Sequence, residues 1–187
     1  MIKHNKFLIF LAIGILLLFL NGCATVIPKL EKPIVRSKVF ECSFDNAWQA
    51  LIRSITASGE FVNVAEKESG LISFQKSIPI DKINEYALAP SNMIWDNAIA
   101  NISIILIKQD ESTVKVTINT KIWGTGRNAG EVFWYGAYAR AQQIEMGSRG
   151  KIESEYLHKI ANFIPGAKTY EWLEEENEKL LSESKNE

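Results

Sequence analysis

The chain is poor in the residues that carry chemistry. Among its 187 residues are two cysteines, Cys23 and Cys42, and two histidines, His4 and His158. Nucleophilic hydrolysis needs a base within hydrogen-bond reach of the nucleophile, and no G-x-S-x-G elbow occurs. Zinc takes four ligands drawn mainly from Cys and His, so this composition points to no metal. Calcium needs a dense acidic loop, and Asp110-Glu111 is only a short polar turn. Charge of one sign is also missing, with 21 basic residues against 22 acidic ones and a net charge of −1. Nucleic-acid binding leaves a basic footprint, so no nucleic acid is expected as partner. Nor is there a long apolar run: the longest, residues 7–20, is about 14 residues, where a spanning helix needs roughly 20.

That run has a position and a context. Lys3 and Lys6 precede it with no acidic residue, which is the layout of a secretion signal. Leu20-Asn21-Gly22-Cys23-Ala24 follows, with a Leu three positions before the Cys and a small residue directly before it. No A-x-A site for ordinary signal peptidase lies nearby. The segment resembles the lipobox of bacterial lipoproteins. The resemblance implies that residues 1–22 are a signal peptide, cut between Gly22 and Cys23, and that Cys23 carries diacylglycerol and usually a further acyl chain such as palmitate. A chain so processed is anchored to a membrane and does not span it. By the family's sorting rule, Ala24 implies the periplasmic face of the outer membrane in a Gram-negative cell. In a Gram-positive cell the anchor would lie in the plasma membrane. Once Cys23 is lipidated, Cys42 has no intrachain disulfide partner, and the mature chain has a net charge of about −3.

Residues 23–37 read as a lipidated N-terminus and tether, with Pro28 and Pro33 opposing regular structure. A single domain is expected over 38–166. Phe40, Cys42 and Phe44 alternate as in a short strand, with Cys42 a buried small hydrophobe. Ser43 is placed to cap a helix whose stripe is Phe44, Ala47, Trp48, Leu51, Ile52 and Ile55, stopped near Gly59. Strands over 61–66 and 71–76 flank the turn 67–70 as a hairpin. Residues 77–100 read as a long excursion with a short helix near 81–86. A second hairpin pairs 102–107 with 114–122 about the turn 109–112. Its first strand is apolar on both faces, as in a central or covered strand. Residues 138–146 read equally well as strand or helix, a strand over about 139–145 being preferred, and a last helix opens at Ser148 to Gly150. The apolar face of that helix is Ile152, Tyr156, Leu157, Ile160, Phe163 and Ile164. The fold class expected is α+β: an antiparallel sheet of about five strands packed on one face by two helices. This element order, with the phrase Ser148-Arg149-Gly150-Lys151-Ile152-Glu153, resembles the helix-grip domains of BamC-type outer-membrane lipoproteins.

Three stretches bear on function. The run Gly124-Thr125-Gly126-Arg127-Asn128-Ala129-Gly130 has glycines and an arginine as phosphate loops do. Its predecessor is a hairpin strand rather than a parallel strand feeding a helix, so a flexible loop is the better reading. Residues 167–187 hold seven Glu against three Lys, a solvated acidic tail in which carboxylates have no fixed separation. Trp123, Phe133, Trp134, Tyr135 and Tyr138 form an aromatic cluster. It is read as a cover for the open end of the sheet or, for those left exposed, as a partner or ligand surface. The function expected is a non-catalytic interaction or assembly module with an envelope protein partner and no cofactor. The alternative is a carrier holding a small apolar or lipid ligand between sheet and helix.

Overall fold

The computed structural model describes residues 28–30 and 33–165. The expected signal segment 1–22, the expected cleavage and lipid positions Gly22 and Cys23, and the acidic tail 167–187 lie outside the described residues. The elements in order are β1 (Ser37–Glu41), α1 (Phe44–Ala57), β2 (Val62–Glu66), β3 (Leu71–Ser77), a 3-10 turn (Ile80–Lys82) and α2 (Ile83–Tyr86). They continue as β4 (Met93–Lys108), β5 (Thr113–Asn128), α3 (Ala129–Tyr135), a second 3-10 turn (Gly136–Tyr138), β6 (Gln142–Met146) and α4 (Lys151–Asn162). The architecture is α+β, as the sequence implied, with six antiparallel strands in the order β1-β5-β4-β3-β2 and β6 paired to β5.

The long β4–β5 hairpin is the spine. Each strand has 16 residues, about 50 Å of rise. The outer edge of β5 carries two short strands end to end: β1 against Thr113 to Thr117, and β6 against Ile122 to Gly126. Alternation runs along the spine up to a bulge beside Asp96. Ala98, Ala100, Ile102, Ile104 and Leu106 of β4 are buried on one face, with Val114, Val116, Ile118 and Ile122 of β5 beside them. α1 and α4 pack together on that face. Ser43 caps α1 through its Oγ, which accepts from the Asn46 N–H at 3.3 Å. Gly59 follows the helix at φ 72°, a conformation glycine adopts without a Cβ penalty. The space between sheet and helices is filled with apolar side chains; Leu51, Ile55, Ile102, Ile118, Tyr156 and Leu157 are all fully buried.

Several expectations need correction. β4 begins at Met93, so the excursion ends there rather than at residue 100. β4 is central, between β3 and β5, and its uncovered face leaves Ile99 and Ile107 exposed. The excursion instead seals the helix side, burying Ile78, Ile83, Ala87 and Ala89. β6 starts later than expected, at Gln142, because residues 136–141 are spent on the turn after α3. Phe163 lies just past the end of α4 and is 38% exposed, so it leaves the helix's apolar face.

The glycine run is not a flexible loop. Residues 124–128 are the end of β5, and the strand there is paired on both sides: Gly124 with Ala98 and Ile144, Gly126 with Trp95 and Gln142. The glycines make room for a ring. A β-bulge between Trp95 and Asn97 inserts one residue and turns Trp95 onto the helix-side face. A Cβ on Gly124 would lie 2.6 Å from Trp95 Cζ3, and one on Gly126 would lie 2.7 Å from the Ile94 carbonyl oxygen and 3.0 Å from Trp95 Cε3.

Candidate functional site

Beyond this glycine floor the spine ends in α3, and local chemistry builds that short helix. Asn128 is its N-cap, its Oδ1 accepting from the Gly130 N–H at 2.9 Å. The Ala129 N–H donates to the Asn92 carbonyl at 2.8 Å, tying the helix to the β4 side of the hairpin. Gly136 ends the helix at φ 56°, and its N–H donates to the Val132 carbonyl. Nothing in α3 is buried.

Four of the aromatic residues therefore stand exposed. Phe133 is 80% exposed, Trp134 79%, Tyr135 67% and Tyr138 91%. This corrects the expectation that most of them close the sheet's open end. Phe133 and Trp134 meet edge to face with centroids 5.3 Å apart. Trp123 does not join them: it sits half-buried within β5, opposite Ile99 and Glu145. The structure thus brings together four of the five residues on one exposed end. Arg127, at the base of that end, is paired with Asp96 at 2.8 Å, so its charge is met by a neighbour's carboxylate.

A second constellation escaped the sequence because its members are far apart in the chain. Glu155 on α4 accepts from Lys76 Nζ on β3 at 2.8 Å and from the Tyr86 hydroxyl at the end of α2 at 2.9 Å. Burial pushes the Glu155 carboxyl up, but the hydrogen bond and charge of Lys76 outweigh it and hold the carboxyl below its usual range. Burial and the neighbouring Glu60 push the Tyr156 hydroxyl up, where it donates to Glu60 at 3.3 Å. Burial and the charge of Lys76 push the Lys159 ammonium down, and its Nζ donates to Ser58 Oγ at 2.9 Å. Both Glu155 oxygens are engaged by donors, so the cluster reads as a polar clasp rather than a poised base.

The phrase at residues 148–153 is built the same way. Ser148 Oγ accepts from the Gly150 N–H at 3.0 Å and donates to buried Glu153 at 2.8 Å. Arg149 bonds the excursion through Nε to the Ala87 carbonyl at 3.1 Å and through its backbone N–H to the Tyr86 carbonyl at 2.9 Å. Lys151 pairs with Glu85. These residues hold α2 against the start of α4.

Other candidate chemistry stays apart. Cys42 is half-buried against the core, and burial pushes its thiol up, away from the reactive thiolate. His158 lies partly exposed on α4. An open cleft of about 300 Å³ is lined by Ser43, Phe44, Asp45, Lys108 and Glu111. Its charges are already paired, Lys108 with Glu111 at 2.7 Å and Asp45 with Lys67 at 2.9 Å. Among the described residues no three His, Cys, Asp or Glu side chains converge to hold a metal, and no helix is long and apolar enough to cross a membrane.

No family model matches the chain, and no curated protein matches it significantly. Among solved structures it is similar to the crystal structure of the adenylate sensor from AMP-activated protein kinase in complex with 5-aminoimidazole-4-carboxamide 1-beta-D-ribofuranotide. The TM-score is 0.41 at 11% identity, over 68% of this chain and 97% of that one.

Proposed function

We propose that the chain is a membrane-anchored lipoprotein of the bacterial envelope, acting as a non-catalytic interaction module that presents its aromatic end to an envelope component. The observation that carries this reading is the exposure of Phe133, Trp134 and Tyr135 on α3 and of Tyr138 on the turn after it, two elements with no buried residue. Large aromatic side chains bury much area for little lost rotamer freedom and are enriched where surfaces meet. The lipobox ending in Cys23 supplies the anchor, and the rule attached to Ala24 favours the periplasmic face of the outer membrane. Spent charges at the clasp and the cleft support a binding role over a catalytic one. No observation on the described residues favours the carrier reading.

The test is site-specific photo-cross-linking in living cells with the whole chain, placing the probe at Trp134 or, as control, at Asn119 on the uncovered sheet face. A defined adduct from position 134, absent from 119 and lost with Cys23→Ser, is the expected result. Recovery of unmodified chain from both positions would sink the proposal.

A further inference from the structure

We propose that the aromatic end is a second membrane contact: Phe133, Trp134, Tyr135 and Tyr138 sit in the headgroup layer of the bilayer to which Cys23 is tied. This rests on the lipoprotein reading for the anchor and names the component met by the surface proposed above.

Three observations converge on a bilayer. The first is composition. Glu131 is the sole charged residue between Arg127 and Arg140. The exposed side chains are one Phe, one Trp and two Tyr, and Trp and Tyr join an apolar ring to a polar tip. Such rings gather at membrane interfaces, where one end is dry and the other wet. The second is shape, since the rings stand beyond the end of the spine hairpin on α3 and the 3-10 turn after it, neither of which has a buried residue.

The third is the path of the tether. β1 runs antiparallel to β5 with Ser37 opposite Thr117 and Glu41 opposite Thr113. The chain before Ser37 therefore heads toward the end of β5 that carries α3. The Arg36 carbonyl still accepts from the Ile118 N–H at 2.7 Å, and Ile34 then lies against Gly150. From Ile118 to Asn128 the strand rises about 33 Å. From Cys23 to Arg36 the chain reaches at most about 45 Å. Extended, the tether is long enough to put the lipid in the plane of the aromatic tip. Had β1 run the other way, the tether would start near Thr113, about 50 Å from the tip and beyond its full reach.

Two contacts orient the domain as one cannot. A lipid on a tether leaves the domain free to rotate. With α3 also engaged, the β4–β5 spine stands on the membrane with the Gln109 to Ser112 turn pointing away, and the uncovered sheet face is held sideways.

The experiment uses the whole chain, expressed in a bacterial host and purified in detergent. It is reconstituted into vesicles of phosphatidylethanolamine and phosphatidylglycerol carrying a nitroxide quencher near the headgroup. Tryptophan emission should be quenched in the parent, and Trp134→Phe should remove the quenchable part. Equal quenching in parent and Trp134→Phe, or none in either, overturns the proposal. So does a defined protein, rather than phospholipid, in the adduct from position 134, a result that leaves the interaction reading intact. Intact mass reports the lipid on Cys23 separately. A chain without lipid defeats the anchor reading, while quenching by added vesicles still decides the fate of the tip.

Discussion

At the scale of single residues, glycine is used here to make space. Gly124 and Gly126 are flat ground beneath Trp95, and the bulge at Asp96 is what points the indole at them. Gly124→Ala places a methyl 2.6 Å from Trp95 Cζ3 and 2.7 Å from Met146 Cε. The thioether end can swing aside, but the ring lies over the strand and has less freedom. Overpacking of this kind costs about 1–3 kcal/mol, to be read as a lowered midpoint in urea unfolding. Combining it with Trp95→Leu should recover most of that loss, because neighbours in contact do not act additively. Equal losses with and without the ring would show that the glycine answers to something else. Gly124 and Gly126 are visible in the sequence as glycines, yet their purpose is not. The ring they serve is almost thirty residues away, and its side of the strand is set by a bulge that alternation cannot reveal.

At the scale of elements, the amphipathic stripes of α1 and α4 and the alternation of β3 and β5 were legible because each is a local periodicity. The clasp that joins β3, α2 and α4 was not, since Lys76, Tyr86 and Glu155 follow no motif and meet only in the folded chain. Its energetics have a sign. The folded-state value of Glu155 is held below the ordinary 4.5 by Lys76 and Tyr86 against the opposing effect of burial. The stabilisation is therefore fully present above that ordinary value and is lost as the pH falls through the lowered folded value. Thermal unfolding followed from neutral pH down through the carboxylate range should show stability falling with acid. Glu155→Gln should lower stability at neutral pH by about 2 kcal/mol, as for a lost hydrogen bond to a charged group. It should also be less sensitive to acid than the parent. An unchanged acid dependence in the variant would show that the clasp contributes nothing to it.

At the scale of the whole molecule, a packed core and an unpacked end divide the work. Leu51 is fully buried between α1 and the sheet, and Leu51→Ala should cost about 2–5 kcal/mol. The combined change Phe133→Ser, Trp134→Ser and Tyr138→Ser touches no core residue and should shift stability by no more than about 0.5 kcal/mol per site. Guanidinium unfolding of both variants beside the parent checks the contrast. A collapse of the triple variant would mean that the aromatic end belongs to the fold rather than to a partner. The sequence by itself determined the α+β class, the two long helices and the hairpins, because these are written as periods, caps and contiguous turns. It also placed five aromatic residues close together in the chain. Only the tertiary structure decided that Trp123 stays in the sheet while Phe133, Trp134, Tyr135 and Tyr138 leave it, that β4 and β5 run on to carry them clear, and that β1 points the chain just before Ser37 toward the same end. Exposure and direction are properties of a side chain's neighbours, and those neighbours come from distant parts of the chain.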